Sequence, residues 1–229
     1  EGTEISAHAI CDGENFMLFP FAQDHKQIGE GNTGPMTGGM GAICPIPEPL
    51  DEIIEIVSKT LAALKNEGRE FTGCLFPGIM LTQNGPKVLE FNARFGDPET
   101  QVYMRLLKND LLEVFDAALE KQLDKMKLEW QNGAAACVVL ASHGYPAEYQ
   151  AGFEISGLYS DSKDLVIFQA GTKAVGKKTV TAGGRVLGIT AAGEDLASAL
   201  KSAYAEAEKI NFSGKYFRKD IGFSYLDKL

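Results

Sequence analysis

The chain has 229 residues, of which 45% are hydrophobic and 23% charged, so it is long and apolar enough to form one large or two modest globular cores. Its 22 basic and 31 acidic residues give a formal net charge of −9, which argues against general attraction to nucleic acid or to an anionic membrane. Any phosphate that it binds must therefore be held by local groups.

The cysteines and the hydropathy pattern further limit the kind of protein that this chain can be. Four cysteines lie far apart, without a C-x-x-C pair or a histidine at metal-ligand spacing, which favours buried reduced thiols in a cytoplasmic protein over disulfides or a zinc site. No apolar run approaches the about 18 residues of a membrane helix, and no leader peptide is visible. The sequence opens without an initiator Met and runs straight into a strand, so we expect it to begin inside a domain.

Strands and a glycine-rich loop are predicted for the first part of the chain. Strand-like runs at 5–11 and 16–20 surround an Asp-Gly step that is typical of a hairpin, and Glu4 lies at the start of the first run. After Gln23-Asp24-His25-Lys26, residues 29–41 contain six glycines, which predicts a loop whose amides approach a ligand closely. A flexible linker is the alternative. His25 is either an acid/base or substrate-orienting residue or a hydrogen-bonded loop histidine.

An amphipathic helix over 50–64 precedes a second predicted hairpin, which carries the main candidate site. An Asn-Gly step joins the apolar run 74–82 to a strand over 85–92. Because side chains alternate along a strand, Val88, Glu90 and Asn92 should share one face, with Leu89 and Phe91 on the other.

Polar groups at this strand suggest a metal and phosphate site. Glu90 and Asn92 are about 6.6 Å apart along the strand, and their oxygens can hold one hard cation such as Mg²⁺. Arg94 extends the same face, where its guanidinium can grip phosphate or carboxylate oxygens. The alternative is a solvated strand edge in which the three residues are a surface charge, a strand terminator and an ion-pair partner.

The remaining elements are helices and a second small sheet. Asp97 is predicted to cap a helix over 98–107, and Asp110 a second one over 111–123. The composition changes at 125–133, so we place a domain boundary there, with domains 1–127 and 128–229. Short strands at 134–141, 165–170, 179–181 and 185–190 and a helix over 195–210 predict a small α+β domain. Arg185 follows two glycines, which suits either a ligand-facing edge or ordinary turn chemistry.

Several motifs, in order along nearly the whole chain, resemble those of the phosphoribosylamine-glycine ligase family, also called glycinamide ribonucleotide synthetases, of the ATP-grasp superfamily. They are Gln23-Asp24-His25-Lys26, Thr33-Gly34-Pro35 with 37–41, Gly85 to Glu99, Gly183-Gly184-Arg185-Val186 and 218–222. The resemblance implies an α+β fold: the C-terminal part of an ATP-grasp domain, an antiparallel sheet with helices, followed by a small α+β domain of short strands and one helix.

The resemblance also implies an activity in purine biosynthesis. ATP phosphorylates glycine, and the amine of 5-phosphoribosylamine attacks the glycyl phosphate to give glycinamide ribonucleotide, ADP and phosphate. Glu90 and Asn92 would then bind Mg²⁺ or Mn²⁺ on the ATP phosphates, Glu4 and Glu90 would contact ATP, and Arg94 would be catalytic. The residues implied to face glycine and 5-phosphoribosylamine are Asp24, His25, Lys26, Gly34, Pro35, Thr37, Gly38, Gly39 and Arg185.

Three departures accompany the resemblance. Gly78 stands where many ATP-grasp enzymes carry a further metal-binding acid, and Met36 stands where we expect Asn. The N-terminal nucleotide-fold domain and the ATP-clamping Lys of the family are missing, which makes the N-terminal part of the same enzyme an expected partner. The alternatives are a non-catalytic structural or interaction fragment and a ligase for another carboxylate and amine.

Overall fold

A computed structural model describes residues 1–47, 50–160 and 162–226. Within these residues the helices and strands follow one another in this order: β1 (Thr3–Ser6), β2 (Ala9–Asp12), β3 (Phe16–Leu18), β4 (Gln23–Asp24), β5 (Gln27–Gly29), β6 (Thr33–Met36), β7 (Gly41–Cys44), α1 (Leu50–Asn66), β8 (Thr72–Thr82), β9 (Gly85–Asn92), α2 (Glu99–Leu106), α3 (Leu111–Leu119), β10 (Ala134–Ser142), β11 (Leu165–Gln169), β12 (Thr172–Val175), β13 (Lys178–Thr181), β14 (Arg185–Gly193), α4 (Leu196–Lys209) and β15 (Lys215–Tyr216).

The chain packs as two compact units that are discontinuous in sequence. Unit 1 contains residues 1–23, 45–96 and 106–131, and unit 2 contains residues 24–44, 97–105 and 132–229. This division differs from the predicted boundary after residue 127. The reason is a long-range strand pairing, because β7 lies antiparallel to β10 with Cys44 opposite Ala135.

Unit 1 is built around β8, which pairs antiparallel with β1, β2 and β9. The predicted hairpin of β8 and β9 is confirmed, with Thr82 opposite Gly85. A register shift next to Gly78 inserts Leu89 as an extra residue in β9, a β-bulge that bends the strand just before Glu90.

The helices of unit 1 follow their sequence signals with small shifts. α1 buries Ile53, Val57 and Leu61, one residue per turn, and Val57 and Leu61 pack on Ala9, Cys11 and Leu75 of the sheet. Asp110 caps α3 as predicted, because its Oδ1 accepts from the N–H of Leu112 at 2.9 Å. The predicted helix over 111–123 ends early, at Leu119, since Lys121 has a left-handed φ of 55°.

Unit 2 contains a sheet in the order β11, β14, β10, β7 and β4, with β15 added to β10. Helix α4 packs on β10 and β14, and its start is a capping box in which Asp195 and Ser198 bond each other's backbone N–H. β10 and β14 are each nine residues long, and both begin where they were predicted and end slightly later.

The structure also tests the predictions for the cysteines and for the N-cap of the helix after β9. The four cysteines are buried and free, as predicted. The helix expected over 98–107 begins at Glu99, so Asp97 is not its N-cap residue, and the Asp97 carboxylate instead bonds Gln101 and Arg185. Among the described residues, no helix combines the length and apolar character needed to cross a bilayer.

Candidate functional site

A row of three hydrogen-bonded side chains follows the bulge in β9 of unit 1. Asn92 Nδ2 donates to Glu90 Oε1 at 3.0 Å, which confirms that the two residues share one face of the strand. Arg94 Nη2 donates to Asn92 Oδ1 at 3.1 Å, and its Nη1 donates to the carbonyl of Phe95 at 3.0 Å. An acid, an amide and a guanidinium therefore form one continuous polar edge.

Glu4 joins this edge at Gly78. A Cβ atom placed on Gly78 would lie 3.4 Å from Glu90 Cγ and 3.9 Å from Glu4 Oε1, so both acidic side chains converge over the glycine. Gly78 is the position at which a further acid is common in the superfamily named above. Among the described residues, no cluster of three or more His, Cys, Asp or Glu side chains is arranged to hold a metal ion.

His8 supports the segment that carries Arg94. Its Nε2 accepts from the N–H of Gly96 at 3.0 Å, and its ring stacks on Phe76 with centroids 4.0 Å apart. Burial, with a smaller contribution from Arg94, lowers the pKa of His8 to about 3, so the ring is neutral and can accept this hydrogen bond at neutral pH. His8 is a structural residue, as the sequence suggested.

In unit 2, the Arg185 side chain of β14 contacts the glycine-rich segment predicted at 29–41. Arg185 Nη1 donates to the carbonyls of Gly38 at 2.7 Å and Asp97 at 2.8 Å, and Nη2 lies 3.2 Å from Asp97 Oδ2. The predicted substrate residues Gly38 and Arg185 are thus brought together, 147 positions apart in the chain.

The amides of this segment donate to the protein itself. The N–H groups of Thr37, Gly38, Gly39 and Met40 donate to Lys26 O at 2.7 Å, Tyr145 Oη at 2.9 Å, Thr37 Oγ1 at 2.9 Å and His25 O at 2.8 Å. The prediction that the loop offers amides to a ligand is therefore wrong for these four residues. Part of the predicted loop is also a hairpin, in which β6 carries Gly34 and Pro35 on an exposed strand.

The glycine at position 39 is explained by close packing. Gly39 is buried with φ of +113°, and a Cβ atom there would lie 2.5 Å from Pro98 Cδ and 2.7 Å from Asp24 Oδ1. Glycine allows the Asp24 carboxyl group and the start of α2 to approach the backbone this closely.

Asp24 is an acid of this group whose pKa is perturbed. Its residue is half-buried, but Oδ1 is fully enclosed, and within the described residues Oδ1 has no hydrogen-bond partner. Burial and then the neighbouring carboxylate of Glu99 raise the pKa of Asp24 well above its usual range. A carboxyl group perturbed in this way is a candidate functional group.

His25 has a structural role that its sequence position did not reveal. The side chain is 6% exposed, its Nδ1 lies 3.2 Å from Gly41 O, and its Nε2 accepts from Gly222 N–H at 3.0 Å. Burial, followed by the charge of Arg218, lowers the pKa of His25 to about 4. Because both ring nitrogens are bonded to the backbone, the expected contact of His25 with substrate has no free nitrogen to make it.

The hairpin of β5 and β6 is anchored by a buried ion pair. Arg218, 1% exposed, donates to Asp220 through Nε at 2.8 Å and Nη2 at 2.7 Å, and its Nη1 donates to Gln27 O at 3.0 Å. Asp220 Oδ2 also accepts from Gly31 N–H at 2.8 Å. The motif at 218–222 therefore holds the hairpin that carries Gly34 and Pro35.

Sequence reasoning missed Tyr145 and the role of Asp97 in this group. Tyr145 Oη accepts from Gly38 N–H, and the Tyr145 ring occupies the place that a side chain on Gly184 would need, with Cδ2 2.2 Å from that Cβ position. The aromatic ring and the Gly183-Gly184 step are complementary, but their sequence separation of about forty residues gave no signal of it.

Two family models match the chain. The model described as "Phosphoribosylglycinamide synthetase, ATP-grasp (A) domain" matches residues 1–100, and the one described as "Phosphoribosylglycinamide synthetase, C domain" matches residues 135–224. The phosphoribosylamine-glycine ligase of Caldanaerobacter subterraneus subsp. tengcongensis is 50% identical, over 98% of this chain and 55% of that protein. The chain thus spans about half the length of this relative.

Solved structures agree with this assignment. The crystal structure of phosphoribosylamine-glycine ligase from Thermotoga maritima is 39% identical with a TM-score of 0.88, over 96% of this chain and 56% of that chain. The biotin carboxylase domain of Hydrogenobacter thermophilus 2-oxoglutarate carboxylase, titled as a complex with MgADP, ADP and bicarbonate, is 12% identical with a TM-score of 0.63, over 93% of this chain and 46% of that chain. At that identity the likeness concerns the fold alone. The expected α+β, ATP-grasp fold is confirmed, and the chain belongs to the phosphoribosylglycinamide synthetase family, that is, the phosphoribosylamine-glycine ligases.

Proposed function

We propose that this chain provides the phosphate-binding strand edge and the substrate-binding loop of an ATP-dependent carbon-nitrogen ligase that joins glycine to 5-phosphoribosylamine. The observation that carries the proposal is the hydrogen-bonded row of Glu90, Asn92 and Arg94 beside Glu4, in a chain of this family. The γ-phosphoryl group of ATP passes to a carboxylate oxygen of glycine, and ADP leaves. The amine of 5-phosphoribosylamine then attacks the glycyl carbonyl carbon, loses a proton and displaces phosphate, which gives glycinamide ribonucleotide.

The donor set at the strand edge fits Mg²⁺ or Mn²⁺ that arrives with ATP. Hard cations prefer carboxylate and amide oxygens, and Mg²⁺ commonly takes one or two of these plus phosphate and water oxygens. Glu90 and Asn92 would hold the ion, which supplies charge neutralisation on the phosphates. The Asn92 nitrogen now faces Glu90. For both residues to bind one cation, the Asn92 side-chain amide must turn so that its oxygen faces Glu90. The hydrogen bond from Arg94 to that oxygen is then lost.

Arg94 and Glu4 take the remaining roles at this edge. Arg94 is exposed, and a guanidinium there can stabilise the negative charge that develops on the transferred phosphoryl group. Glu4 is half-buried beside Glu90, at an end of β1 where a carboxylate can accept from ATP hydroxyl or amino groups.

The group in unit 2 serves the other two substrates. Asp24 contributes a carboxyl group of raised pKa beside this loop, and Lys26 is a half-buried cation suited to a carboxylate or phosphate. Gly34 and Pro35 lie on the exposed strand β6, and Thr37 follows it. Arg185 has its guanidinium bonded to Gly38 and Asp97, so we assign it to shaping the loop and leave His25 out of the contacts.

The rest of the ATP site is proposed to come from the N-terminal part of the same enzyme, including the Lys that clamps the phosphates. This proposal is supported by the chain's span of 55% of the Caldanaerobacter relative. Four buried free thiols are compatible with a reducing compartment, so we place the activity in the cytoplasm.

The test uses the full-length protein and the variant Glu90→Gln. Loss of a ligand to a charge-neutralising metal ion should lower glycine- and phosphoribosylamine-dependent ADP release by at least about a hundredfold, or roughly 3 kcal/mol. The matched control is Glu208→Gln, an exposed glutamate on α4, which should retain wild-type turnover. Normal turnover in Glu90→Gln would refute the metal assignment, and a wild-type protein that releases ADP without needing glycine would refute the reaction.

A further inference from the structure

One residue of the glycine-rich segment is held from both sides by side chains that are remote in sequence. The N–H of Gly38 donates to Tyr145 Oη at 2.9 Å, and the carbonyl of Gly38 accepts from Arg185 Nη1 at 2.7 Å. Both polar groups of an exposed glycine are therefore fixed by side chains rather than by a strand or a helix.

The packing around these two bonds is close. A Cβ atom on Gly38 would lie 3.1 Å from Arg185 Cζ, so the guanidinium lies directly against the glycine. Asp97 completes the arrangement, because its carbonyl accepts from Arg185 Nη1 at 2.8 Å and its Oδ2 lies 3.2 Å from Nη2. The Tyr145 ring is held in turn against Gly184. Arg185 and Tyr145 thus each have a second support that limits their own motion.

Fixing a glycine has a thermodynamic reason. Glycine loses more conformational freedom on folding than any other residue, so an unsupported pair at Gly38 and Gly39 would sample many backbone shapes. Gly39 is the residue against which the Asp24 carboxyl group packs. The shape of the pair therefore decides where Asp24 and Thr37 present their polar groups.

We propose that Tyr145 and Arg185 are positioning residues of the ligase site, which fix the Gly38-Gly39 backbone in the shape that binds a non-nucleotide substrate. This inference rests on the proposed function. It assigns Tyr145 a role through its hydroxyl oxygen as an acceptor, and it assigns Arg185 a role through the loop instead of direct contact with substrate.

The experiment compares Tyr145→Phe and Arg185→Lys with wild type in the full-length protein. Tyr145→Phe keeps the ring over Gly184 and removes only the acceptor for Gly38. Loss of one neutral hydrogen bond should raise the KM for glycine or for 5-phosphoribosylamine about fivefold, with kcat and the KM for ATP within about twofold of wild type. Arg185→Lys keeps the positive charge beside Asp97 but loses the planar fork, so the same KM should rise tenfold or more.

A second measurement, amide hydrogen exchange at Gly38 and Gly39, does not depend on activity. Exchange at these residues should become at least fivefold faster in Tyr145→Phe. The matched control is Tyr149→Phe, whose ring lies 6.4 Å from that of Tyr145, and it should leave both exchange and KM unchanged.

The outcomes separate this inference from the proposed function. Unchanged exchange in Tyr145→Phe, or a uniform rise of all three KM values together with a lower melting temperature, would overturn the positioning role. If the wild-type protein does not ligate glycine to 5-phosphoribosylamine, the proposed function is refuted. Faster exchange at Gly38 in Tyr145→Phe would still support the fixing of the loop in that case. Unchanged exchange would refute the fixing of the loop.

Discussion

Substituting Gly39 by alanine tests whether close packing, rather than an offered amide, explains the glycine-rich segment. The new Cβ would lie 2.5 Å from Pro98 Cδ and 2.7 Å from Asp24 Oδ1, both well inside van der Waals contact, at a residue whose φ is +113°. The left-handed backbone costs about 1–3 kcal/mol for a residue with a Cβ, and overpacking typically adds about 1–3 kcal/mol. We therefore expect Gly39→Ala to lower the free energy of unfolding by about 4 kcal/mol.

The matched control is Gly152→Ala, in the same unit. Gly152 has φ of +92°, but no atom lies within 4 Å of the position of its Cβ. In Gly152→Ala only the left-handed backbone is unfavourable, so the free energy of unfolding should fall by about 1–2 kcal/mol. The assay is urea unfolding followed by circular dichroism, with the slope m compared between variants to verify that the unfolded states are alike.

A double mutant makes the test sharper. Removing the Asp24 carboxyl group in Asp24→Ala takes away one of the two collisions, so combining it with Gly39→Ala should cost at least about 1 kcal/mol less than the sum of the single variants. Equal losses for Gly39→Ala and Gly152→Ala, with additive behaviour in the double mutant, would refute the packing explanation and return the glycine to a role in ligand binding.

Three further predictions concern charge in unit 2. The folded-state pKa of about 4 for His25 lies below the ordinary 6.5, so the unfolded state binds its proton first and stability falls as the pH drops from 6.5 toward 4, by at most about 3 kcal/mol. His25→Gln should flatten this slope in urea unfolding between pH 7 and 4.5, His143→Gln should not, and equal slopes in all three proteins would refute it. Removing one partner of a buried ion pair destabilises the fold, so Arg218→Met should lower the free energy of unfolding by about 3–5 kcal/mol and speed hydrogen exchange at the amide of Gly31. A decrease below about 1 kcal/mol would show that the pair is dispensable. Because the pKa of Asp24 is raised in the folded state, its ionisation lowers stability as the pH rises above 3.8. Asp24→Asn should therefore be at least as stable as wild type at pH 8, while its ligation activity falls. A clear loss of stability at pH 8 would contradict the enclosed, unpartnered oxygen.

Local chemistry explains which parts of the fold were predictable. The hairpin at Asn84-Gly85 and the shared face of Glu90 and Asn92 depend on residues within a few positions of one another, and both predictions are confirmed. The bulge at Leu89 was not predicted, because it depends on the register with β8. It places Val88 opposite Ile79 and Glu90 opposite Gly78, so the prediction that Val88 shares a face with Glu90 and Asn92 is wrong.

The division into units shows the limit of composition as a guide. The predicted boundary after residue 127 lies close to residue 131, where the last segment of unit 1 ends. The segment 24–44 nevertheless packs with the second half of the chain, because β7 extends the sheet of β10. Strand pairing across about ninety residues depends on matching edges and faces, which local propensity does not encode.

The two histidines show why residue type did not decide function. His8 lies on an apolar strand and His25 lies in a charged tetrad, yet both are buried, and each accepts a hydrogen bond from a glycine N–H through Nε2. The donor is 88 residues away for His8 and 197 for His25. Their role follows from long-range contacts, so the charged neighbours of His25 were a misleading signal.

The glycine-rich segment likewise owes its structure to contacts that are remote in sequence. Its composition predicted close approach of the backbone to a ligand, and the structure shows close approach to other parts of the protein, since glycine is required where a Cβ would collide. What composition could not tell is the identity of the approaching group. At Gly38 and Gly39 the approaching groups are Arg185, Tyr145 and Asp24, which belong to the protein. A ligand that binds here, as proposed above, would therefore meet a loop that these side chains already shape.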